Sequence, residues 1–183
     1  ERWLAQMAPE AVHVCRGGQD VRLAARVAET LALMAQGVPA IAQPALWWAP
    51  EKIYGAPDLI VHTTWLGEHF PHLLAHEAQQ QPHYVVFDLK FTTKIEESSK
   101  NKDRLAYAAQ VRLYSYMLGQ MQGIMPSFAY LVTRDRVADP FPIPLTAQPG
   151  DPLEADLAAL RDQFIEIKVN GAQYTPWQDA IVA

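Results

Sequence analysis

Two carboxylates and one lysine stand in this chain among apolar neighbours. Tyr54-Gly55-Ala56-Pro57-Asp58-Leu59-Ile60 sets Asp58 in a segment that otherwise reads as a buried strand. Phe87-Asp88-Leu89-Lys90 sets a second carboxylate at the end of the next strong strand pattern, with a lysine two residues on. Side chains in a strand alternate faces, so Asp88 and Lys90 project from the same side. If the two strands are neighbours, Asp58 reaches that side too, and two carboxylates and an ammonium converge at a sheet edge. Hard oxygen ligands of this kind suit Mg²⁺ or Mn²⁺, which keep several waters and take remaining ligands from phosphate. The metal lowers the pKa of a bound water and stabilises charge on phosphoryl oxygens. A nearby lysine orients the attacking water or offsets the charge that develops.

An Asp-x-Lys tripeptide alone usually means a solvated ion pair at a strand end. Company changes the reading. Asp88 sits in an apolar run where an unpaired carboxylate is costly, and Asp58 lies upstream in a similar setting. Gln110 and Tyr114 follow at i,i+4 spacing, stacked one turn apart on one helix face.

The elements that must position these residues can be read from periodicity. Residues 20–36 carry Val21, Leu23, Val27, Leu31 and Met34 at helical spacing, and Gly37 stops them. Two strands are expected at 40–48, interrupted by Pro44 as at an edge or a bulge, and at 52–63. A polar, histidine-rich excursion over 65–82 reads as a loop with a short helix. Residues 83–91 form a strand around Tyr84-Val85-Val86-Phe87, and a charged loop runs over 92–102. A long amphipathic helix over 103–122 is closed by Gly123, followed by a strand at 128–133 and a final helix at 156–168. This is a mixed α/β pattern in which the second and third strands form a meander and the later crossover is helical. Lys94, Lys100, Lys102 and Arg104 flank the candidate site and are the side chains placed to touch phosphates, unless the loop is simply solvated.

Composition bounds the answer. A chain of 183 residues suits one domain with one core, and 50% hydrophobic against 19% charged residues excludes a disordered chain. No apolar run approaches the roughly 20 residues of a membrane span. The single cysteine, Cys15, excludes an internal disulfide and any cysteine-based metal or iron–sulfur site built from this chain alone, and points to a reducing, cytoplasmic setting. The net charge of -5 is not the basic signature of a domain whose main task is to hold nucleic acid. It is compatible with an acidic metal site whose cations reverse the local charge, with weak binding or a partner domain supplying affinity. The chain opens on Glu1-Arg2-Trp3-Leu4 without a methionine and reads as a piece of a longer protein.

In order and spacing, Gly55-x-x-Asp58, Asp88-x-Lys90 and Gln110-x-x-x-Tyr114 resemble the RecB-like branch of the PD-(D/E)XK nuclease superfamily. That branch includes the nuclease domains of RecB and AddB and the CRISPR-associated RecB-like exonucleases. The pattern is most similar to bacterial RecB-family nucleases often joined to a helicase. There, a helix with a small-residue/Thr pattern and a Met-x-x-Gly end precedes a strand with Ile-x-Gln. Here these read Ala28-Glu29-Thr30-Leu31, Met34-Ala35-Gln36-Gly37 and Ile41-Ala42-Gln43, and the likeness spans about residues 20–141. It implies a restriction-endonuclease-like core, a central mixed β-sheet flanked by helices. It also implies metal-dependent, exonuclease-like cleavage of single-stranded or free-ended DNA in repair, recombination or defence, alongside a helicase or other DNA-processing partner in cis or in trans.

Carried over residue by residue, Asp58 and Asp88 are metal ligands with the Leu89 carbonyl, and Lys90 is the catalytic lysine. Gln110 and Tyr114 orient that lysine or contact the nucleic-acid backbone. The family's first ligand is a Glu or His on an early helix; Glu29 is the candidate within this chain, with a position ahead of Glu1 as the alternative. The cysteine clamp of some relatives is absent, so no iron–sulfur cluster is expected.

Two rival readings remain open. One is a catalytically degenerate nuclease fold used as a nucleic-acid-binding or scaffolding module. The other is a zinc hydrolase built on His69, His72 and His76 with Glu77, although Pro71 interrupts that segment. Trp47, Trp48 and Trp65 either stack on unpaired bases or pack the core, and His62 and His83 flank strands without an evident partner.

Overall fold

The computed structural model of the chain describes residues 2–77, 81–91 and 102–145. The N-terminal part holds α1 (Arg2–Met7), β1 (Val12–His13), α2 (Ala24–Ala35), β2 (Ala40–Ala42), β3 (Leu46–Trp48), β4 (Ile53–Gly55) and β5 (Leu59–His62). Then come α3 (Thr63–His69), α4 (Pro71–Leu74), β6 (Tyr84–Leu89), α5 (Lys102–Gln122), β7 (Phe128–Val132) and β8 (Phe141–Pro144). The architecture is α/β, with a six-stranded mixed sheet in the order β1-β2-β5-β6-β7-β8 and a separate β3–β4 hairpin. Among the described residues, no helix is long and apolar enough to cross a membrane.

The β-branched, aromatic run of β6 makes it the centre of the sheet, buried from Tyr84 to Asp88. It pairs antiparallel with β5, Leu59 opposite Phe87 and Val61 opposite Val85, and parallel with β7, Asp88 opposite Leu131. The expected meander and helical crossover are therefore present, α5 carrying the chain from β6 to its parallel neighbour β7. Alternation along β6 sends Tyr84 and Val86 into one core with Ile60, Val111, Leu118 and Leu131. Val85 and Phe87 enter the opposite core with Trp65, Phe70, Leu73 and Tyr130. Covering each large side chain on these faces contributes about 1.5–3 kcal/mol. The first face lies under α5 and α2, the second under α1, α3 and α4.

α2 ends as its sequence requires. Gly37 adopts φ 69°, its N–H donates to Met34 O at 3.0 Å, and Val38 N–H reaches back to Leu33 O at 3.2 Å. Those two bonds satisfy the last carbonyls in a Schellman arrangement, and Val38 packs with Leu33 and Met34 on the core.

Several boundaries differ from the sequence reading. The stretch 20–36 divides into a 3₁₀ turn (Asp20–Arg22) and α2. The single strand expected at 40–48 is two strands in two sheets, because Gln43 takes φ 48° and Pro44 follows, turning the chain out of β2 into β3. The strand expected at 52–63 is likewise split, since Pro57 has no N–H to donate to a ladder. The excursion over 65–82 contains α3 and α4. α5 is less sharply amphipathic than expected, its covered residues including Arg112 and Ser115. The helix expected at 156–168 lies outside the described residues.

Candidate active site

β1, β2, β6 and β7 run parallel in space with β5 antiparallel between them, so the C-terminal ends of β2 and β6 lie beside the N-terminal start of β5. Asp58 sits at that start. It occupies the bend just before β5 and not the strand itself, which corrects the sequence reading. The cluster forms at the ends of central strands; the lateral edges of the sheet are β1 and β8.

Asp58 is held from two sides. Its Oδ1 accepts from Gln43 Nε2 at 2.9 Å and its Oδ2 from the Leu89 amide at 2.8 Å. The second bond has a register cause. The β5–β6 ladder runs as far as Leu59 opposite Phe87; one step further out the register sets Asp58 against Asp88, and two steps out it sets Pro57 against Leu89. The Leu89 N–H finds the Asp58 carboxylate there instead. Gln43 is fixed in turn: its N–H donates to Asp58 O and its carbonyl accepts from Cys15 N–H, both at 3.0 Å. Beyond Pro44, the Ala45 amide donates to the hydroxyl of buried Thr30 at 3.0 Å, tying the turn to α2.

Asp88 and Lys90 share the α5 face of β6. Asp88 is only 3% exposed. Its Oδ2 lies 2.5 Å from Lys90 Nζ, so the buried carboxylate meets the lysine ammonium directly. Burial pushes the Asp88 carboxyl above its usual range; the Lys90 ammonium opposes this, while the Asp58 charge adds to it. The two carboxylates therefore lie close enough to repel.

Lys90 continues the β6–β7 ladder through its N–H to Val132 O at 2.8 Å. Its ammonium donates to Gln110 Oε1 at 2.8 Å and stands 4.9 Å from the centre of the Tyr107 ring. Gln110 Nε2 donates to Tyr114 Oη at 3.0 Å. Burial raises the Tyr114 phenol, and the Asp88 and Asp58 charges act in the same direction. Asp58, Asp88, Lys90, Gln110 and Tyr114 thus form one connected cluster, with the Leu89 backbone inside it.

Other expected residues fall elsewhere. Glu29 pairs with Arg26 at 2.6 Å on α2. Lys94 and Lys100 lie outside the described residues; Lys102 and Arg104 fall at the start of α5. His69 stacks on Trp65, His72 meets Asp139 at 3.0 Å, and His76 lies edge-on to Phe128, so the three turn to separate partners. Glu77 is taken up by His83 at 3.3 Å, and His62 bonds the Thr64 hydroxyl at 3.0 Å, so both strand-flanking histidines do have partners. The tryptophans pack: Trp65 is 2% exposed with its Nε1 on Glu10, Trp47 donates to Val21 O, and Trp48 meets Tyr116 edge-on.

Sequence reasoning gave no role to Gln43, Thr30 or Tyr107. Tyr107 was findable, since it lies three residues before Gln110 and seven before Tyr114 on one helical stripe. Gln43 carried only the Ile-x-Gln likeness.

The donor set fits a hard divalent cation. Asp58 keeps free lone pairs beside its two hydrogen bonds, and Asp88 adds a second, buried carboxylate beside it, its Oδ2 on the Lys90 ammonium. Among the described residues no group of three or more His, Cys, Asp or Glu is placed to hold a metal ion. No protein-family model, curated protein or solved structure matches the chain.

Proposed function

We propose that this chain is a metal-dependent nuclease of the PD-(D/E)XK class, RecB-like in type, that hydrolyses phosphodiester bonds in single-stranded or free-ended DNA. On this reading the mixed sheet and its flanking helices are a restriction-endonuclease-like core. A helicase or other DNA-processing partner supplies the affinity that an acidic chain lacks. The observation that carries the proposal is the meeting of Asp58, Asp88 and Lys90 at the strand ends, with Lys90 held by Gln110 at 2.8 Å.

Asp58 and Asp88, with the Leu89 carbonyl, would hold Mg²⁺ or Mn²⁺. When bound, that cation supplies Lewis acidity and a water of lowered pKa. The rest belongs to the chain. Gln43 and the Leu89 amide aim the Asp58 carboxylate. The Lys90 ammonium, which can only donate, fixes which end of the Gln110 amide faces it, Tyr114 accepts from the other end, and Gln110 with Asp88 holds the ammonium where it can offset charge on the scissile phosphate. Preorganised charge of this kind costs no reorganisation at the moment of reaction.

The test is cleavage of end-labelled single- and double-stranded DNA with Mn²⁺, comparing the parent with Lys90→Ala. Lysine-dependent cleavage is expected; absence of cleavage by the parent removes the enzyme. The second reading, a degenerate fold acting as a binding or scaffolding module, draws on the two-carboxylate site and the net charge of -5. Mn²⁺ binding lost on changing either aspartate favours the enzyme, and no Mn²⁺ binding favours the module.

A further inference from the structure

A groove of about 1050 Å³ runs along the strand ends beside Asp58, and its lining includes His13, Arg16, Gln43, Asp58, Leu89 and Phe91. It spans the ends of β1, β2, β5 and β6, three strand spacings, or about 14 Å. Three features mark it as a place for a ligand. Arg16 and His13 are exposed, and neither side chain has a hydrogen bond or ion pair among the described residues. Phe91 is 89% exposed at the end of β6, where burial would otherwise be favourable. Gly17 and Gly18, next to Arg16, have nothing within 4 Å of where a β-carbon would stand, so the backbone there is open to approach.

The chemistry of the lining selects the occupant. Among the described residues that line the groove, the ionisable side chains are Asp58, Arg16, His13 and Cys15. One cation and one carboxylate leave the lining without net charge on a chain of net charge -5, so a phosphate meets less repulsion there than over the chain as a whole. A cationic group, an aromatic face and small apolar residues (Ala8, Ala11 and Ala42) are what a nucleic-acid strand with unpaired bases uses: charge for the phosphates, a ring for a base. A duplex keeps its base faces stacked on one another and offers Phe91 nothing.

We infer that this groove is the entry path for a single strand of DNA, Arg16 engaging a backbone phosphate and Phe91 stacking on a base as the strand runs to Asp58. This deepens the nuclease reading by naming the strand's path, and it needs no cleavage to be true.

The experiment is fluorescence anisotropy of a labelled oligothymidylate, without divalent metal so that the probe stays intact, against the same measurement on a duplex. The single strand should bind better than the duplex. Phe91→Ala should weaken single-strand binding about tenfold, and Phe91→Trp should retain it. Arg16→Ala should weaken binding and reduce the dependence of log affinity on log salt by about one. Circular dichroism melting shows whether each exposed-site variant is folded. No binding by the parent, preference for duplex, or parent-like binding by both folded alanine variants overturns the groove. The two proposals fail separately. Parent-like binding in the groove variants, with cleavage abolished by Lys90→Ala, leaves a nuclease without this path. Weakened binding in the groove variants, with no metal-dependent cleavage by the parent, leaves the path without the nuclease.

Discussion

The ring of Tyr114 fills the space that a side chain on Gly55 would take: a β-carbon built there lies 2.5 Å from Tyr114 Cε1 and 3.2 Å from Cδ1. Met117 closes the same space from the next turn of α5, at 3.5 Å. The glycine ahead of Asp58 and the tyrosine after Gln110, far apart in sequence, are therefore one packing unit. Through Gln110 that unit sets the position of Lys90.

Gly55→Ala should accordingly act on the site through Tyr114. Overpacking of this kind costs about 1–3 kcal/mol, and the displaced ring no longer holds Gln110. Urea unfolding should show that loss, with cleavage falling further than stability alone explains. Adding Tyr114→Ala should restore part of the stability and none of the activity. A Gly55→Ala protein with the parent's midpoint and rate contradicts the coupling.

Asp58, Asp88 and Lys90 should separate into two classes of variant. Asp58→Asn and Asp88→Asn keep the side-chain shape and remove the charge that would hold a cation, so Mn²⁺ binding by calorimetry and cleavage should disappear together. Lys90→Ala should lower turnover by about tenfold or more, the worth of a hydrogen-bonded charge, while Mn²⁺ binding changes much less. Equal loss of metal binding in all three would assign Lys90 to structure alone.

How much of this was legible follows from how locally each feature is encoded. Asp88 and Lys90 could be placed on one face because the two-residue period of a strand is a local property, and Gln110 and Tyr114 because four residues bring a helix round. The split of 40–48 between two sheets was not local. Gln43 holds a left-handed conformation that few non-glycine residues adopt, and what imposes it comes from Cys15, Asp58 and the Thr30 anchor, all distant in sequence. β1 is two residues long and β8 contains Pro142 and Pro144, so neither shows a strand period; both are edge strands, where such sequences are tolerated. The groove was hidden for a related reason. Its walls come from α1, the loop after β1 and the end of β6, which only the sheet order brings together.

Gln43 offers a way to separate fold from site. Its φ of 48° costs backbone energy, and its side-chain amide orients Asp58. Gln43→Gly relieves the backbone but deletes the amide. Stability should therefore stay within about 1 kcal/mol of the parent, the two effects opposing. Affinity for Mn²⁺ should fall about 10- to 100-fold, as when a group that orients a ligand is removed. Denaturation and metal titration on the same variant test both halves. An unchanged Mn²⁺ affinity would mean that the Leu89 amide suffices to aim Asp58.

Glu77 and His83 form a second polar centre, at the end of β6 away from Asp88, with both side chains fully covered. Besides His83, the Glu77 carboxylate accepts from the Ser127 amide at 2.8 Å, the Phe128 amide at 3.1 Å and the Tyr130 hydroxyl at 3.2 Å. Burial alone would raise the Glu77 carboxyl, but the hydrogen bonds from His83, Ser127 and Phe128 outweigh it and hold it below its usual range. Burial alone would lower the His83 imidazole, but Glu77 and the Gln81 carbonyl outweigh that and raise it. The signs give a window. The lowered carboxyl contributes stability fully above its ordinary value of 4.5 and loses it as pH falls through the folded value. The raised imidazole contributes fully below its ordinary value of 6.5 and loses it as pH rises through the folded value. The pair should therefore stabilise most between these two limits and less on either side. Glu77→Gln should lower the melting temperature within the window and flatten its pH dependence, while Glu77→Ala, which strands the buried donors, should cost about 3–5 kcal/mol. Melting temperatures of the parent and Glu77→Gln across the range decide it. A parent whose advantage over Glu77→Gln stays level from about pH 5 to about pH 8 would mean that His83 is neutral in the fold and that the carboxylate works through its backbone donors alone.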